Sequence, residues 1–261
     1  MIHFIVATSS ESKLIIKKLK LKKIQPSSGF DFFYNDSFSM TITGLGKINS
    51  ALGVAHTFFK FKNLSNNIWI NIGLAGHEKE KIGTLILVDK IYDDETKKSM
   101  YPFFIKDYKI KKLNCTCYAK PNLNYDKSLS DMESSGFFLS ANKYSTKELI
   151  HSLKIISDNK YDKIDFNNTK NIERLFEKNF DQIMNFILDI KGLWERKFEK
   201  QNKIKIKIEK DLKNLKYTFS EGVQIRNLLK IYYNSNYSKK IIEQNKSTKD
   251  NIFKIKKILK L

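Results

Sequence analysis

Cysteine is scarce in this sequence of 261 residues, which contains only Cys115 and Cys117. They form a Cys-x-Cys pair, and no second pair is present to complete the four ligands of a tetrahedral zinc site. We therefore expect no metal site and no cofactor. The two residues are expected to be free, partly buried thiols in a reducing compartment.

Long apolar runs are also absent. No segment approaches the roughly 18–20 consecutive apolar residues of a membrane-spanning helix, so we expect no membrane span. The N-terminal segment MIHFIVATSSESK has a short apolar run, but no basic region precedes it and no small-residue cleavage site follows. This pattern favours a first β-strand over a signal peptide, and the expected location is the cytoplasm.

Arginine is nearly absent, and this changes the interpretation of the net charge of +20. A strongly basic chain is typical of nucleic-acid binding. However, Arg174, Arg196 and Arg226 are the only arginines, and arginine is the residue preferred for bidentate contacts to phosphate and guanine. The abundance of Asn and Ile indicates an AT-rich coding bias that raises lysine content regardless of function. With no nucleic-acid-binding motif present, we expect no nucleic-acid partner.

Strand and helix patterns alternate through the first two thirds of the chain. An apolar strand precedes TSSESKLIIKKLK, in which Thr8 and Glu11 have the spacing of a helix-capping box. Another strand leads into the Gly44-x-Gly46 turn and a helix, and NIWINIGLAG ends in glycines. This alternation predicts an α/β layered sheet.

Polar and glycine residues follow several of these predicted strands. They include Thr8 to Glu11, Gly44 to Lys47, Gly73 to Gly76, and Ser157 with Asp158. In open α/β sheets the ligand binds beyond the carboxyl ends of the strands. We therefore expect these segments to form one shared site.

The segment SDMESSGFFLSANKYS is predicted to be a helix that begins with acidic residues. The simplest interpretation makes Asp131 the N-cap and Glu133 a first-turn acid beside the positive end of the helix dipole. The alternative is that Glu133 belongs to the shared site.

From about residue 168 the sequence acquires helical periodicity and becomes rich in lysine. We predict a helix that closes the α/β domain and then a basic helical extension, with domains at residues 1–190 and 191–261. A basic amphipathic helix is compatible with binding to a membrane surface or a partner. A solvated helix packed through one face is the more common arrangement.

Four motifs, in order, resemble those of the nucleoside phosphorylase superfamily. They are TGLGKINSA, NIGLAG, SDMESSGFF and IISDN, after an N-terminal strand with a nearby glutamate. The branch they resemble is that of the methylthioadenosine/S-adenosylhomocysteine nucleosidases, over about residues 1–190. The resemblance implies a three-layer α/β domain with a central mixed sheet, a purine nucleoside as substrate, and a homodimer.

The resemblance also implies roles for individual residues. Asp158 would be the general acid that protonates the leaving base, and Glu11 would position or deprotonate the attacking water. Glu133 would accept hydrogen bonds from the ribose hydroxyls. The remaining substrate-binding positions would be Met132, packed on the sugar face, with Gly44, Gly46, Gly73, Gly76 and Ser157. For Glu11, a purely structural role as the capping-box partner of Thr8 remains the alternative.

Three departures from the nucleosidase pattern leave the base and the activity open. Leu74 stands where these enzymes commonly carry a serine that contacts the nucleophile. The SDxAD signature is replaced by SDNKYD, and NCTCYAKPNLNYDKSL lacks the usual base-binding residues. The alternatives are therefore a phosphorylase and a noncatalytic nucleoside-binding protein. Phosphorolysis needs an anion site, usually built with arginine, and no arginine precedes Arg174. Lys47 could supply a positive charge, but water is the more economical nucleophile.

Overall fold

The structure is a computed structural model that describes residues 1–24, 29–61, 67–235, 237 and 239–261. Within these ranges the chain contains ten β-strands and six α-helices. The strands are β1 (Ile2–Val6), β2 (Lys22–Ile24), β3 (Asp31–Tyr34), β4 (Phe38–Ile42), β5 (Ile68–Gly76), β6 (Leu85–Asp93), β7 (Ser99–Met100), β8 (Lys111–Cys117), β9 (Leu129–Asp131) and β10 (Ile150–Asp158). The helices are α1 (Ser9–Lys18), α2 (Lys47–Lys60), α3 (Ser134–Ala141), α4 (Thr169–Leu212), α5 (Phe219–Asn234) and α6 (Thr248–Leu259), and a short 3-10 helix spans Lys147–Leu149.

The strands form one mixed sheet in the order β10-β6-β8-β9-β5-β1-β4-β3-β2, with β7 paired on β6. β10 also pairs with β5, so that β5, β10, β6, β8 and β9 close into a ring from which β1, β4, β3 and β2 extend. The predicted α/β fold with a central mixed sheet is therefore confirmed. The ring closure is a feature that the sequence pattern did not indicate.

The carboxyl ends of four strands meet at one edge of this sheet. β1 is parallel to both β4 and β5, and β10 is parallel to β5. β9 runs antiparallel to β5 but is only three residues long, and its Ser130 pairs with Gly76 at the end of β5. The segment after β9 therefore reaches the same edge as the segments after β1, β4 and β10.

The first helix begins as predicted. The Thr8 side chain accepts a hydrogen bond from the Glu11 N–H, and the Glu11 carboxylate accepts one from the Thr8 N–H at 2.9 Å. This reciprocal pair satisfies two N–H groups that would otherwise lack partners at the helix start.

The predicted start of the third helix is wrong. Asp131 is not the N-cap, because Leu129–Asp131 pairs with β8 and forms strand β9. Glu133 occupies the N-cap position without a side-chain capping bond, and α3 begins at Ser134. Asp131 still accepts a hydrogen bond from the Ser134 N–H at 3.0 Å, but it does so from the strand. Pairing between strands distant in sequence has overridden the local helix signal.

Helices α2 and α3 approach each other closely at Gly136. A Cβ atom at this position would overlap the backbone carbonyl of Lys47, the first residue of α2. Only glycine permits this contact, which brings the start of α2 against the start of α3. The Gly46 turn and Glu133 consequently lie side by side.

Both cysteines lie on β8 and are fully buried, which is deeper than the partial burial we expected. Burial raises the pKa of the Cys115 thiol well above its ordinary value and that of Cys117 to about 12. Both thiols therefore stay protonated and behave as small core residues.

The chain divides into two compact units, residues 1–188 and 189–261, and the division falls within the sequence of α4. The second unit has its own apolar core, which includes Ile225, Leu229 and Ile255. No helix in the described ranges is both long enough and apolar enough to cross a membrane.

Candidate functional site

A cavity of about 470 Å³ lies at the carboxyl edge of the sheet. Its volume falls within the range of roughly 300–1,000 Å³ that is typical of small-molecule sites. Six of the predicted site residues line it, namely Glu11, Gly76, Met132, Glu133, Ser157 and Asp158. Residues from three parallel strand ends and from the β9–α3 junction are thus brought together, as the strand-end pattern predicted.

The other three predicted glycines, Gly44, Gly46 and Gly73, are not among the residues that line the cavity. Gly46, with a φ of 101°, donates its N–H to Glu133 Oε1 at 3.0 Å. A Cβ at Gly73 would lie 2.9 Å from Glu11 Oε1. Gly46 therefore holds the Glu133 carboxylate, Gly73 leaves room for the Glu11 carboxylate, and Gly44 shapes the turn that presents Leu45 to the cavity.

Glu11 is the capping-box partner of Thr8 and also lines the cavity. Its Oε2 atom accepts hydrogen bonds from the N–H and hydroxyl of Thr8, at 2.9 and 2.7 Å. Its Oε1 atom accepts the backbone N–H of Leu74 at 2.9 Å. The capping box fixes a carboxylate that also lines the cavity, and the Leu74 backbone supplies a contact that does not depend on its side chain.

Lys154 is the first residue that sequence reasoning missed. It is fully buried on β10, in register with Gly73 of β5. Its Nζ atom lies 2.7 Å from Asp131 Oδ2 and 3.9 Å from Glu133 Oε2. A lysine between the apolar residues Leu153 and Ile155 of a predicted strand was the signal that could have revealed it, because a buried charge requires a buried partner.

Lys154 compensates the negative charges of Asp131 and Glu133 unequally. Burial disfavours the ionised forms, but Asp131 and Glu133 raise the pKa of Lys154, and Lys154 lowers that of Asp131. The pKa of Glu133 is instead raised, chiefly by burial and further by Asp131, with Lys154 offsetting part of the effect. Of the two carboxylates beside Lys154, Glu133 is therefore the one with the greater need for hydrogen-bond donors or positive charge from the cavity.

Asp158 ends β10 and accepts hydrogen bonds on both carboxyl oxygens. The Ser157 hydroxyl donates to Oδ1 and the Tyr125 hydroxyl donates to Oδ2. Gly76 leaves room for the tyrosine, because a Cβ there would lie 2.5 Å from Tyr125 Cε1. Tyr125 is the second residue that was missed, since nothing local in NYDKSL indicates a contact with residue 158.

Lys47 is not positioned to bind an anion in the cavity. Its Nζ atom forms ion pairs with Asp93 and Glu95, at 2.9 and 2.7 Å. Burial opposes its charge, but these two partners raise the pKa of Lys47. No lysine or arginine in the described part of the chain lines the cavity. Among those same residues, no group of three or more His, Cys, Asp or Glu side chains is arranged to hold a metal ion.

The sequence matches no protein-family model and no curated protein. Solved structures do match the fold. The apo 5'-methylthioadenosine nucleosidase of Arabidopsis thaliana gives a TM-score of 0.58 at 16% identity, over 71% of this chain and 95% of that one. An MTA/SAH nucleosidase gives 0.59 at 16% identity, also over 71% and 95%. The futalosine hydrolase of Helicobacter pylori gives 0.52 at 14% identity, over 69% of this chain and 97% of that one.

These similarities confirm the fold that the four sequence motifs predicted. The chain has the nucleoside phosphorylase/nucleosidase fold, and the three solved structures described above are two nucleosidases and a futalosine hydrolase. At identities of 16% and below, the similarity establishes the architecture and not the substrate.

The buried ion pair yields a prediction about stability. Lys154→Met keeps most of the side-chain volume but leaves Asp131 as an uncompensated buried charge, so we expect the free energy of unfolding to fall by about 3–5 kcal/mol. Urea denaturation measures this change. Asp131→Asn in the Lys154→Met background should restore part of the loss.

Lys97→Met is the matched control, because Lys97 pairs with Asp94 on the surface. Removing an exposed ion pair should cost no more than about 1 kcal/mol. Equal losses in the two lysine variants would contradict a structural role for the Lys154–Asp131 pair.

Proposed function

We propose that this protein hydrolyses the N-glycosidic bond of a purine nucleoside, of the class of methylthioadenosine or S-adenosylhomocysteine. The observation that carries the proposal is that Asp158, Glu133 and Glu11 line one cavity at the sheet edge. Three carboxylates in one small cavity provide the proton transfers and the negative charge that such a reaction needs.

The proposed roles follow from how this bond breaks. Glycosidic cleavage passes through a transition state in which the sugar resembles an oxocarbenium ion. Asp158 protonates the departing base, and Glu133 accepts hydrogen bonds from the ribose hydroxyls while stabilising the positive sugar. Glu11 orients the attacking water and takes its proton, and Met132 packs against the sugar.

Water is the nucleophile that the charges of the site favour. A phosphate dianion needs donors and positive charge, whereas Glu11 and Glu133 make this part of the cavity acidic. The one lysine of the Gly44–Lys47 turn is paired with Asp93 and Glu95. We therefore place hydrolysis ahead of phosphorolysis.

We also propose that the protein is a homodimer that assembles through the outer face of α2. Ile48, Leu52 and Phe59 share this face and are 73%, 54% and 57% exposed. Leu45, one turn before Ile48, is 58% exposed and also lines the cavity. A group of exposed apolar side chains on one helix face is typical of a protein–protein contact.

Changing Ile48 and Leu52 together to lysine should convert the dimer to a monomer in sedimentation velocity, because both charges would be buried in the contact. Tyr161→Lys, at a position that is 84% exposed, is the control and should leave the dimer intact. A wild-type protein that sediments as a monomer would refute this assembly.

The reaction is tested by measuring free base released from a panel of nucleosides, with and without phosphate. We expect adenine release from methylthioadenosine that does not require phosphate. Asp158→Asn removes the transferable proton while keeping the shape, so kcat should fall at least ~10²-fold with little change in nucleoside affinity. Strict dependence on phosphate would identify a phosphorylase. Tight nucleoside binding without release of base would identify a noncatalytic binding protein.

A second variant separates the ribose-binding role of Glu133 from a purely structural one. Glu133→Gln replaces a charged acceptor by a neutral amide, so kcat/KM for the ribonucleoside should fall by roughly 10- to 100-fold, corresponding to ~1.5–3 kcal/mol. The 2'-deoxynucleoside lacks one of the hydroxyls and should lose less. Equal losses on both substrates, or a change confined to the melting temperature, would show that Glu133 only supports the start of α3.

A further inference from the structure

We infer that Tyr125 is a positioning residue for Asp158: it donates to the Oδ2 atom and so directs the transferable proton to Oδ1, beside Ser157. The inference rests on the proposed function, because it assigns a partner to the proposed general acid. Tyr125 belongs to the segment NCTCYAKPNLNYDKSL, which lacks the usual base-binding residues of the nucleosidases.

The geometry separates the two oxygens of Asp158. Tyr125 donates to Oδ2 and Ser157 donates to Oδ1. Ser157 and Asp158 line the nucleoside cavity, whereas Tyr125 lies on a neighbouring surface with Glu78 and Lys160. The tyrosine thus holds Oδ2 without lining the cavity, and Oδ1 is the oxygen bonded to Ser157, which does line it.

The hydrogen-bond partners allow Asp158 to be protonated at Oδ1. The Ser157 hydroxyl also lies 3.4 Å from the carbonyl oxygen of Ala75. It can turn its single proton to that carbonyl and accept a hydrogen bond from a protonated Oδ1. Burial, together with Asp158, raises the pKa of Tyr125, so the phenol stays protonated and keeps donating to Oδ2. An oxygen that accepts from Tyr125 is the less favourable place for the proton.

The proton balance of the reaction follows. The Oδ1–H bond breaks as the proton passes to a ring nitrogen of the base, and the electron pair of the glycosidic bond remains with the base. Water adds to the anomeric carbon and gives its proton to Glu11. Asp158 is left as a carboxylate whose two oxygens accept from Tyr125 and Ser157, and solvent later restores its proton. Because hydrogen bonds to an ionised acceptor are the stronger ones, Tyr125 assists the proton transfer more than it assists binding.

The test compares two leaving groups in the full-length protein carrying Tyr125→Phe. Adenine departs from methylthioadenosine with protonation, whereas para-nitrophenolate departs from para-nitrophenyl ribofuranoside without it. We expect kcat for methylthioadenosine to fall roughly 10- to 100-fold with KM within about threefold. The rate on the nitrophenyl riboside should stay within about twofold of the wild type.

Tyr161→Phe is the matched control, because Tyr161 lies three residues after Asp158, is 84% exposed and does not line the cavity. It should leave both rates unchanged. Asp158→Asn is the reference and should show the same selective loss as Tyr125→Phe. If Tyr125→Phe does not fold, as judged by thermal melting, Tyr125→Leu replaces it with the same expected pattern.

The outcomes distinguish the inference from the proposed function. Equal losses on the two substrates, or an unchanged rate on methylthioadenosine, would overturn the role of Tyr125 while leaving the nucleosidase proposal intact. A wild-type protein that releases base from no nucleoside would overturn the proposed function and this inference with it.

Discussion

The arrangement of the site depends on one buried ion pair, between Lys154 and Asp131. Lys154 lies on β10 and Asp131 on β9, strands that are not neighbours in the sheet but flank β5 on opposite sides. The ion pair therefore spans β5 at Gly73, the residue that is in register with Lys154. Replacing a buried ion pair by apolar residues is often neutral or stabilising, so stability alone does not account for it. The position of the ion pair beside Glu133 accounts for its presence at the site.

Backbone N–H groups also position the carboxylates of the site. The N–H of Gly46 binds Glu133 and the N–H of Leu74 binds Glu11. A backbone N–H donates in the same way whatever the side chain of its residue. These contacts therefore tolerate side chains that differ from those of the nucleosidase motifs. Leu74 illustrates the point: its side chain is unlike the serine of the nucleosidases, but its amide still orients a carboxylate at the cavity.

The fold and the collection of residues at the sheet edge could be predicted from the sequence, because both follow from local signals. Parallel strands end on the same side, so polar residues after β1, β5 and β10 had to meet. Asp131, Lys154 and Tyr125 could not be assigned in this way, since each acts through a partner far away in the chain. The start of α3 was misplaced for a related reason: the β8–β9 pairing that makes Leu129–Asp131 a strand is a tertiary contact.

The closure of five strands into a ring also affects how copies of the protein can meet. Among the described residues the sheet has two short edge strands, which are β7, paired on β6, and, at the far end of the sheet, β2. That strand has three residues, two of which are the exposed lysines Lys22 and Lys23. Short edge strands that carry lysine resist the addition of a strand from another molecule. The β2 edge of the sheet is thereby protected from edge-to-edge aggregation.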